Sequence, residues 1–470
     1  MPKRIYKLGE KIYRFSEEDI LNGHVGRTLV YLSFPLVLSN IIQVIYNLID
    51  LFWLGKLGTE ALAAVAYAWP IVFFFTAIGA GIINAGGVLI AQHRGAKNKE
   101  EISYTASQTV TFTVLLSFFL SLFGIITAKP ILRLLGASPE IIPLACSYLY
   151  IAFSGMILTY GFIISRTFFQ NIGDTITPMW ITILTFGANI ALEPFFIFGW
   201  SVFPELGLSG AAAALVTARG IATFIAILLF SRGYKGISIR LSYLLPNFSY
   251  LKRLARVGIP LSAEIAIRPL GTNAILPIVS PFGTGVIAAF GIGSRFLDLI
   301  FTPAVGISQA IATMAGQNVG ADRYHRVVET AKKGVGGTFV IFVLIGLITF
   351  WQAEFLARIF TTEAHVIKMV AQFLQITAFS FGFLAAIRAF IGIFRGAGNT
   401  FLAMMVSLFT FLLFRAPIAL LLSRLFEETG VWWAYFFANI AGALVALFWF
   451  WKGKWQRRLI STFAQVSSTE

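Results

Sequence analysis

Long hydrophobic runs, separated by short polar connections, make up most of this chain. Each run reaches about 20 residues, the length that lets an α-helix cross the hydrocarbon core of a bilayer. The pattern predicts twelve membrane-spanning helices, near residues 28–54, 62–91, 104–128, 140–168, 175–199, 207–231, 251–281, 285–318, 328–352, 364–394, 399–424 and 429–452. The expected fold class is therefore an all-α membrane protein with twelve transmembrane helices.

The two halves of the chain repeat each other. Matching segments lie 225 residues apart: 58–65 with 283–290, Gln92 with Gln317, and Phe169, Gly173 and Thr175 with Phe394, Gly398 and Thr400. Six spans in each copy give both copies the same orientation in the membrane. We therefore expect two six-helix lobes, related by a pseudo-two-fold axis along the membrane normal, with a cleft between them.

The distribution of basic residues orients the chain. Lys and Arg concentrate in the amino-terminal segment and in alternate connections, and cytoplasmic connections carry this excess. We predict a multi-pass protein of the cell membrane with both termini in the cytosol. The predicted organisation is a cytosolic segment at 1–27, lobes at 28–231 and 257–452, a cytosolic linker at 232–256 and a cytosolic tail at 453–470.

Composition excludes several function classes. The chain is 57% hydrophobic and 12% charged, and its net charge of +15 sits in membrane-flanking loops, which argues against nucleic acid as a partner. A single cysteine, Cys146, and four scattered histidines offer neither a disulfide nor a structural metal site. Neither a phosphate-binding P-loop nor a GxSxG nucleophile motif occurs, so we expect no enzyme and no cofactor.

The first span carries a carboxylate, Asp50, which is costly in a membrane unless it has a partner or a function. Gln43, Tyr46, Asn47 and Asp50 fall at i, i+3, i+4 and i+7. On a helix these spacings share one stripe, while apolar residues fill the other faces. The stripe should face protein or water rather than lipid.

The fifth span repeats this arrangement. Thr182, Thr185, Asn189 and Glu193 fall along one helical face, and Pro194 follows the acid. The sequence therefore predicts a second polar stripe in the same lobe.

The depth of Asp50 and Glu193 in the membrane, and their absence from the second repeat, indicate one shared site. Asp50 and Glu193 both lie roughly 8–9 Å below the outer ends of their spans, at 1.5 Å per residue, so they can share one cavity. The equivalent positions in the second copy are Ile275 and Ile418. We infer an acidic site confined to the first lobe. The alternative is that both acids are neutral core residues, hydrogen-bonded to Tyr46, Asn47 and Asn189.

Two further acids lie in the second half, each beside an arginine on its own span. Glu264 and Arg268 are spaced i, i+4, and Arg295 and Asp298 are spaced i, i+3. Such spacings favour ion pairs within one helix. We expect self-neutralising pairs there, with a secondary polar site as the alternative. Three more arginines lack an acid nearby in sequence: Arg219, Arg388 and Arg415.

Several segments resemble the multidrug and toxic compound extrusion (MATE) family, in its DinF-like prokaryotic branch. They are the opening stretch ILNGHVGRTLVYLSFPLVLSNIIQVIYNLIDLFWLGKLGTEALAAV, FFQNIGDTITPM after span 4, NIALEPFFIFGW in span 5 and AGQNVGADR after span 8. The resemblance covers nearly the whole chain.

The resemblance implies a V-shaped pair of helix bundles that exports cationic or amphipathic organic compounds in exchange for H⁺ or Na⁺. Asp50 matches the family's acid in span 1, with Gln43, Tyr46 and Asn47 as its polar neighbours, Pro35 as a kink that serves as hinge, and Asn189 as the amide in span 5. Glu193 departs from the usual Asp by one methylene.

Other functions remain open at this point. The residues suit H⁺ or Na⁺ at Asp50 and Glu193, because a carboxylate with amide and hydroxyl neighbours binds either. The main rival is a flippase for lipids or lipid-linked oligosaccharides from the same superfamily, although such proteins often have a strongly basic central cleft and additional spans. An intramembrane enzyme lacks a nucleophile-base set, and a channel gives no reason for two tandem lobes.

Overall fold

The apolar runs fold into α-helices in the computed structural model, which describes residues 18–200, 204–453, 455–456 and 459–460. The helices are α1 (Glu18–Asn22), α2 (Val25–Lys56), α3 (Thr59–Gly95), α4 (Lys99–Leu134), α5 (Ile141–Ser154), α6 (Met156–Asn171), α7 (Ile176–Phe198), α8 (Leu208–Ser231), α9 (Phe248–Asn273), α10 (Leu276–Val279), α11 (Thr284–Gly320), α12 (Tyr324–Arg358), α13 (Ala364–Ala378), α14 (Phe381–Gly396), α15 (Thr400–Leu408) and α16 (Arg415–Trp451). A π-helical turn, Phe409–Phe414, joins α15 to α16. Most of the predicted cytosolic segment 1–27 and of the tail 453–470 lies outside the described residues.

The described part of the chain contains twelve membrane crossings. Eight helical stretches are long and apolar enough to cross, and the bent pairs α5–α6 (53°) and α13–α14 (57°) bring the number to ten. The stretch from α15 to the end of α16 doubles back, because Phe426 and Glu427 have non-helical backbones and the rings of Phe409 and Trp449 lie 5.8 Å apart. Helix α9 carries several charged residues, and it packs within the bundle beside α3 and α15.

The backbone reproduces the sequence repeat. Helices α3 and α11 begin and end 225 residues apart. The glycine that precedes each helix has nearly the same positive φ, 103° at Gly58 and 98° at Gly283. The two bent pairs also break at equivalent positions, Gly155 and Ser380. The twelve-helix, two-lobe fold that the sequence predicts is therefore confirmed.

Helix α2 takes part in two separate apolar cores. Its first half, from Val25 to Leu36, packs into the core of the second lobe. Its second half contributes Tyr46 and Leu54 to the core of the first lobe. Pro35 lies at the end of the first of these halves, inside the helix. The helix thus connects the two lobes through its own length.

The lobes contact each other at one end of the bundle, which we call the terminal face because it holds α1 and residues 459–460. There Leu459 N donates to Gln92 Oε1 at 2.9 Å. A Cβ added to Gly95 would lie 1.8 Å from the carbonyl oxygen of Gln317, and a Cβ added to Gly320 would lie 1.9 Å from that of Gln92. These symmetric contacts need glycine, and they hold the two lobes together at the terminal face.

Substituting one of these glycines should separate the lobes. We expect Gly320→Val to widen the distance between spin labels at positions 99 and 325 by roughly 1.5–2 Å or more, because the side chain overlaps backbone that cannot rotate away. Gly291→Val is the matched control, since open space surrounds a Cβ at that position of the same helix. Double electron-electron resonance measures both. Unchanged distances in Gly320→Val would contradict this expectation, because they would show that the lobes accommodate the larger side chain without separating.

Candidate functional site

Two carboxyl groups meet between α2 and α7. The two helices pack against each other, and the side chains of Asp50 and Glu193 come within hydrogen-bonding reach of each other. Glu193 is fully buried, and Asp50 is half-buried. The structure therefore brings together the two acids that the sequence places at equal depth.

Neutral groups hold each carboxyl in position. The Tyr46 hydroxyl donates to Asp50 Oδ1 at 3.4 Å, and the Tyr46 ring stacks on Phe186 with centroids 4.6 Å apart. Asn189 Nδ2 donates to Glu193 Oε2 at 3.3 Å. In the described part of the chain, Glu193 Oε1 receives no hydrogen bond from a donor group. Ionised carboxylates only accept hydrogen bonds, so two carboxyl groups bond directly to each other only when one of them is protonated.

A permanent positive charge lies beside this pair. Arg219, on α8, is close enough to Asp50 and Tyr46 to interact with them electrostatically. Its Nη1 donates to Thr159 Oγ1 at 3.1 Å. Together with Tyr148 it lines a cavity of about 20 Å³, enough for one water molecule. The sequence contains Arg219 but gives no indication of its partners, because α8 lies far from α2 along the chain.

The polar stripe of α2 divides into separate contacts. Gln43 Oε1 accepts a hydrogen bond from Arg166 Nη1 at 3.5 Å, and Asn40 Oδ1 accepts one from Arg166 Nη2 at 3.3 Å. Asn47 is exposed. Of the predicted neighbours on this helix, Tyr46 is therefore the one that contacts Asp50. Asn47, named as a partner in the neutral-acid alternative, forms no hydrogen bond with either acid among the described residues.

Arg166 joins α6 to α2. It lies within α6, its guanidinium donates to Asn40 and Gln43 on α2, and the guanidinium carbon lies 5.7 Å from the centre of the Phe162 ring. Helical spacing does not predict this contact, because a long side chain near a helix end reaches several ångström along the bundle.

Two threonines of the α7 stripe bind their own helix. Thr182 Oγ1 donates to the Pro178 carbonyl at 2.7 Å, and Thr185 Oγ1 donates to that of Ile181 at 2.6 Å. These bonds satisfy the hydroxyls locally, so the site on α7 reduces to Asn189 and Glu193.

The predicted hinge residue lies in an unbroken helix. Pro35 is buried within α2. Ser39 Oγ donates to the Pro35 carbonyl at 2.7 Å, and α11 packs closely here, since a Cβ on Gly306 would lie 2.8 Å from Val37 N. Proline has no backbone N–H, so α2 lacks one helical hydrogen bond at the point where the two lobes pack closely.

The predicted ion pairs of the second lobe are wrong in their partners. Arg268 pairs with Asp298 on the neighbouring helix rather than with Glu264. Glu264 instead forms ion pairs with Arg395, and with Arg388 at 3.8 Å, both on α14. Arg295 is exposed. The rule for spacings within one helix fails here because packed helices offer acids nearer to these guanidinium groups.

The second lobe has no acids at the positions equivalent to Asp50 and Glu193. Ile275 is fully buried in its apolar core, and Ile418 is partly buried against the same core. The carboxyl pair therefore has an apolar counterpart in the repeat.

Comparison with known proteins agrees with this architecture. The MatE family model matches residues 35–195 and 260–421, once in each half. The chain is 30% identical to the probable multidrug resistance protein YoeA of Bacillus subtilis over 94% of this chain and 96% of that one. It is 28% identical to the probable multidrug resistance protein NorM of Thermotoga maritima, with the same coverage.

A solved structure described as the outward-facing conformation of a multidrug resistance MATE family transporter covers 93% of this chain and 97% of its own. Its TM-score is 0.84 at 22% identity, which supports the fold. The family model covers well over half of the sequence, and the paired match mirrors the structural repeat. The chain therefore belongs to the multidrug and toxic compound extrusion (MATE) family, and it is a multi-pass multidrug efflux transporter, not an enzyme.

Proposed function

We propose that this transporter exports amphipathic organic compounds in exchange for protons, and that Asp50 and Glu193 bind the exchanged proton. The observation that carries the proposal is the contact between these two carboxyl groups, in which a buried oxygen of Glu193 lacks a donor. Adding or removing one proton changes the charge of the pair within a membrane, where charge is expensive.

The direct contact between the two carboxyls favours a proton over Na⁺. A hard cation binds best within a shell of several oxygen ligands, whereas a proton needs only one carboxyl oxygen and fits between two groups in direct contact. The Arg219 guanidinium near Asp50 opposes the added positive charge of either ion equally, so it does not decide between them. The arrangement therefore supports proton coupling.

The path from proton to conformational change runs along α2. Asp50 and Tyr46 lie in the half of α2 that packs with the first lobe, whereas the half before Pro35 packs with the second lobe. Protonation alters the hydrogen bonds of Asp50, and with them the position of the half that carries it. Bending at Pro35 then changes how the lobes meet, so proton and substrate favour different conformations without touching the same atoms.

The orientation follows from the charge distribution. With both termini in the cytosol of a cell-membrane protein, the closed terminal face is cytosolic and the cleft opens outward. Protons enter the open cleft, and the compound leaves from it. Cationic amphipathic compounds are the substrates implied by the family resemblance. A lipid flippase receives no support from the matched relatives, whose names describe multidrug resistance.

A gradient experiment tests the coupling ion directly. In everted vesicles containing the wild-type protein, an imposed pH gradient should accelerate uptake of a cationic dye by at least about fivefold, the lower range of a typical coupling energy. A Na⁺ gradient at constant pH should leave uptake at the rate of empty vesicles. Fluorescence dequenching of the dye follows both. Acceleration by Na⁺ alone would contradict proton coupling.

A further inference from the structure

Four arginines gather inside the second lobe around two acids. We call Arg268, Arg388, Arg395 and Arg415 the arginine cluster. Arg268 pairs with Asp298, while Arg388 and Arg395 share Glu264. Arg415 finds neutral partners: Asn439 Oδ1 at 3.0 Å, and the rings of Phe411 and Tyr435 at 4.9 and 4.1 Å. Four guanidinium groups therefore face two carboxylates.

This excess of positive charge lies deep in the fold. The side chain of Arg388 is 12% exposed, and Arg415 is 3% exposed. The Nε atoms of Arg395 and Arg415 lack a hydrogen-bond partner in the described part of the chain. Buried charges are normally paired, because removing an ion from water costs several kcal/mol. The arginine cluster therefore has positive charge and N–H donors that remain available to an anionic group of a bound molecule.

The cluster extends to a surface that a water-soluble group can reach. The side chain of Asp298 is 62% exposed, and that of Arg268 is 32% exposed. Asp298 lies near the middle of α11, fourteen residues from its start at Thr284, about 20 Å along the helix axis. A charged pair at this depth is stable beside a water-filled cleft and costly against lipid. Arg268 therefore marks the entrance to the cluster from the cleft.

The repeat shows that the fold does not require these arginines. The positions equivalent to Arg268, Arg388 and Arg415 in the first lobe are Gln43, Ile163 and Ile190. The two lobes share a backbone but differ in charge, with an acidic pair in one and an excess of arginine in the other.

We propose that the arginine cluster binds the phosphate or carboxylate group of a transported amphipathic compound. Planar guanidinium groups match these oxyanions with paired hydrogen bonds, and such bonds are strong where water is excluded. Phe411 is buried between Arg388 and Arg415, and its ring lies under both guanidinium groups, which helps to fix their positions. The proposal extends the substrates beyond cationic compounds. It relies on the proposed export function only for the direction of transport.

A charge-matched pair of probes tests this site. We use 1-naphthyl phosphate and 1-naphthol, which share one ring system, and measure binding by isothermal titration calorimetry in phosphatidylcholine nanodiscs. Wild-type protein should bind the phosphate at least about tenfold more tightly than the alcohol. Arg388→Gln and Arg268→Gln should each remove most of that preference. Arg358→Gln should retain it, because Arg358 lies in an exposed pair with Glu354.

Each outcome bears on the proposal. Equal binding of the two probes to wild type would overturn it, and so would an equal loss of both probes in the arginine variants. Arg268→Gln keeps the test valid if Arg388→Gln fails to fold, since Arg268 is partly exposed. In phosphatidylglycerol nanodiscs the preference should persist; its loss there would assign the cluster to a lipid headgroup instead. A preference for the phosphate that persists in Asp50→Asn separates this site from the proton site.

Discussion

Replacing either acid of the carboxyl pair should strongly reduce proton-driven export. We expect Asp50→Asn and Glu193→Gln each to reduce the pH-gradient-driven transport rate by roughly 5- to 150-fold, the range that corresponds to a coupling free energy of about 1–3 kcal/mol. The reason is chemical: an amide keeps nearly the same shape but neither gains nor loses a proton near neutral pH. Transport in everted vesicles provides the measurement.

The controls separate loss of coupling from loss of structure. Glu60→Gln removes an exposed carboxyl at the start of α3 and should leave transport unchanged. Glu193→Asp keeps the charge and shortens the side chain by one methylene, so it should retain a large part of the activity. Equilibrium binding of the dye to Asp50→Asn should persist, because the variant removes the proton site and not the cleft. Full transport by both amide variants would reject the proposed role of the pair.

The repeat made the fold predictable from sequence. An offset of 225 residues, read from short matches, reappears in the bounds of α3 and α11 and in the backbone of Gly58 and Gly283. Duplication fixes the number of helices per lobe and their relative orientation, so twelve spans and two lobes follow together. The depth of Asp50 and Glu193 also followed from sequence, since rise per residue is constant along a helix.

Contacts between distant helices could not be predicted in this way. Glu264 has Arg268 one turn away, yet its partners Arg388 and Arg395 come from α14, more than 120 residues later. Arg219 likewise reaches Asp50 from α8. Helical spacing describes neighbours on one helix surface, whereas a bundle adds neighbours from three or four other helices. In a charged interior these additional neighbours decide which groups pair.

The two lobes differ in the charged groups that they bury. The first lobe holds an acidic pair whose charge depends on protonation, and the second holds guanidinium groups whose charge is fixed. Since α2 packs with both cores, a change at Asp50 is mechanically connected to the second lobe. In the proposed mechanism, this separation lets the proton and the exported compound bind at different places and still bias one conformational equilibrium.

Glu264→Gln should destabilise the protein strongly. The side chain of Glu264 is 1% exposed and neutralises two guanidinium groups, and Ser407 Oγ also donates to its Oε1 at 3.4 Å. Removing its charge leaves the largely buried Arg388 and the half-buried Arg395 without a counter-ion, which we expect to cost about 3–5 kcal/mol of unfolding free energy. Unfolding in detergent, followed by tryptophan fluorescence, measures this loss.

A matched substitution and a double variant identify the cause. Asp298→Asn breaks an ion pair whose acid is 62% exposed, and exposed pairs contribute about 1 kcal/mol or less. In the double variant Glu264→Gln/Arg395→Gln, one of the two orphaned charges disappears, so stability should partly recover. A Glu264→Gln protein no less stable than Asp298→Asn would mean that Arg388 and Arg395 reach water without their acid. The buried excess of charge would then be smaller than the fold indicates.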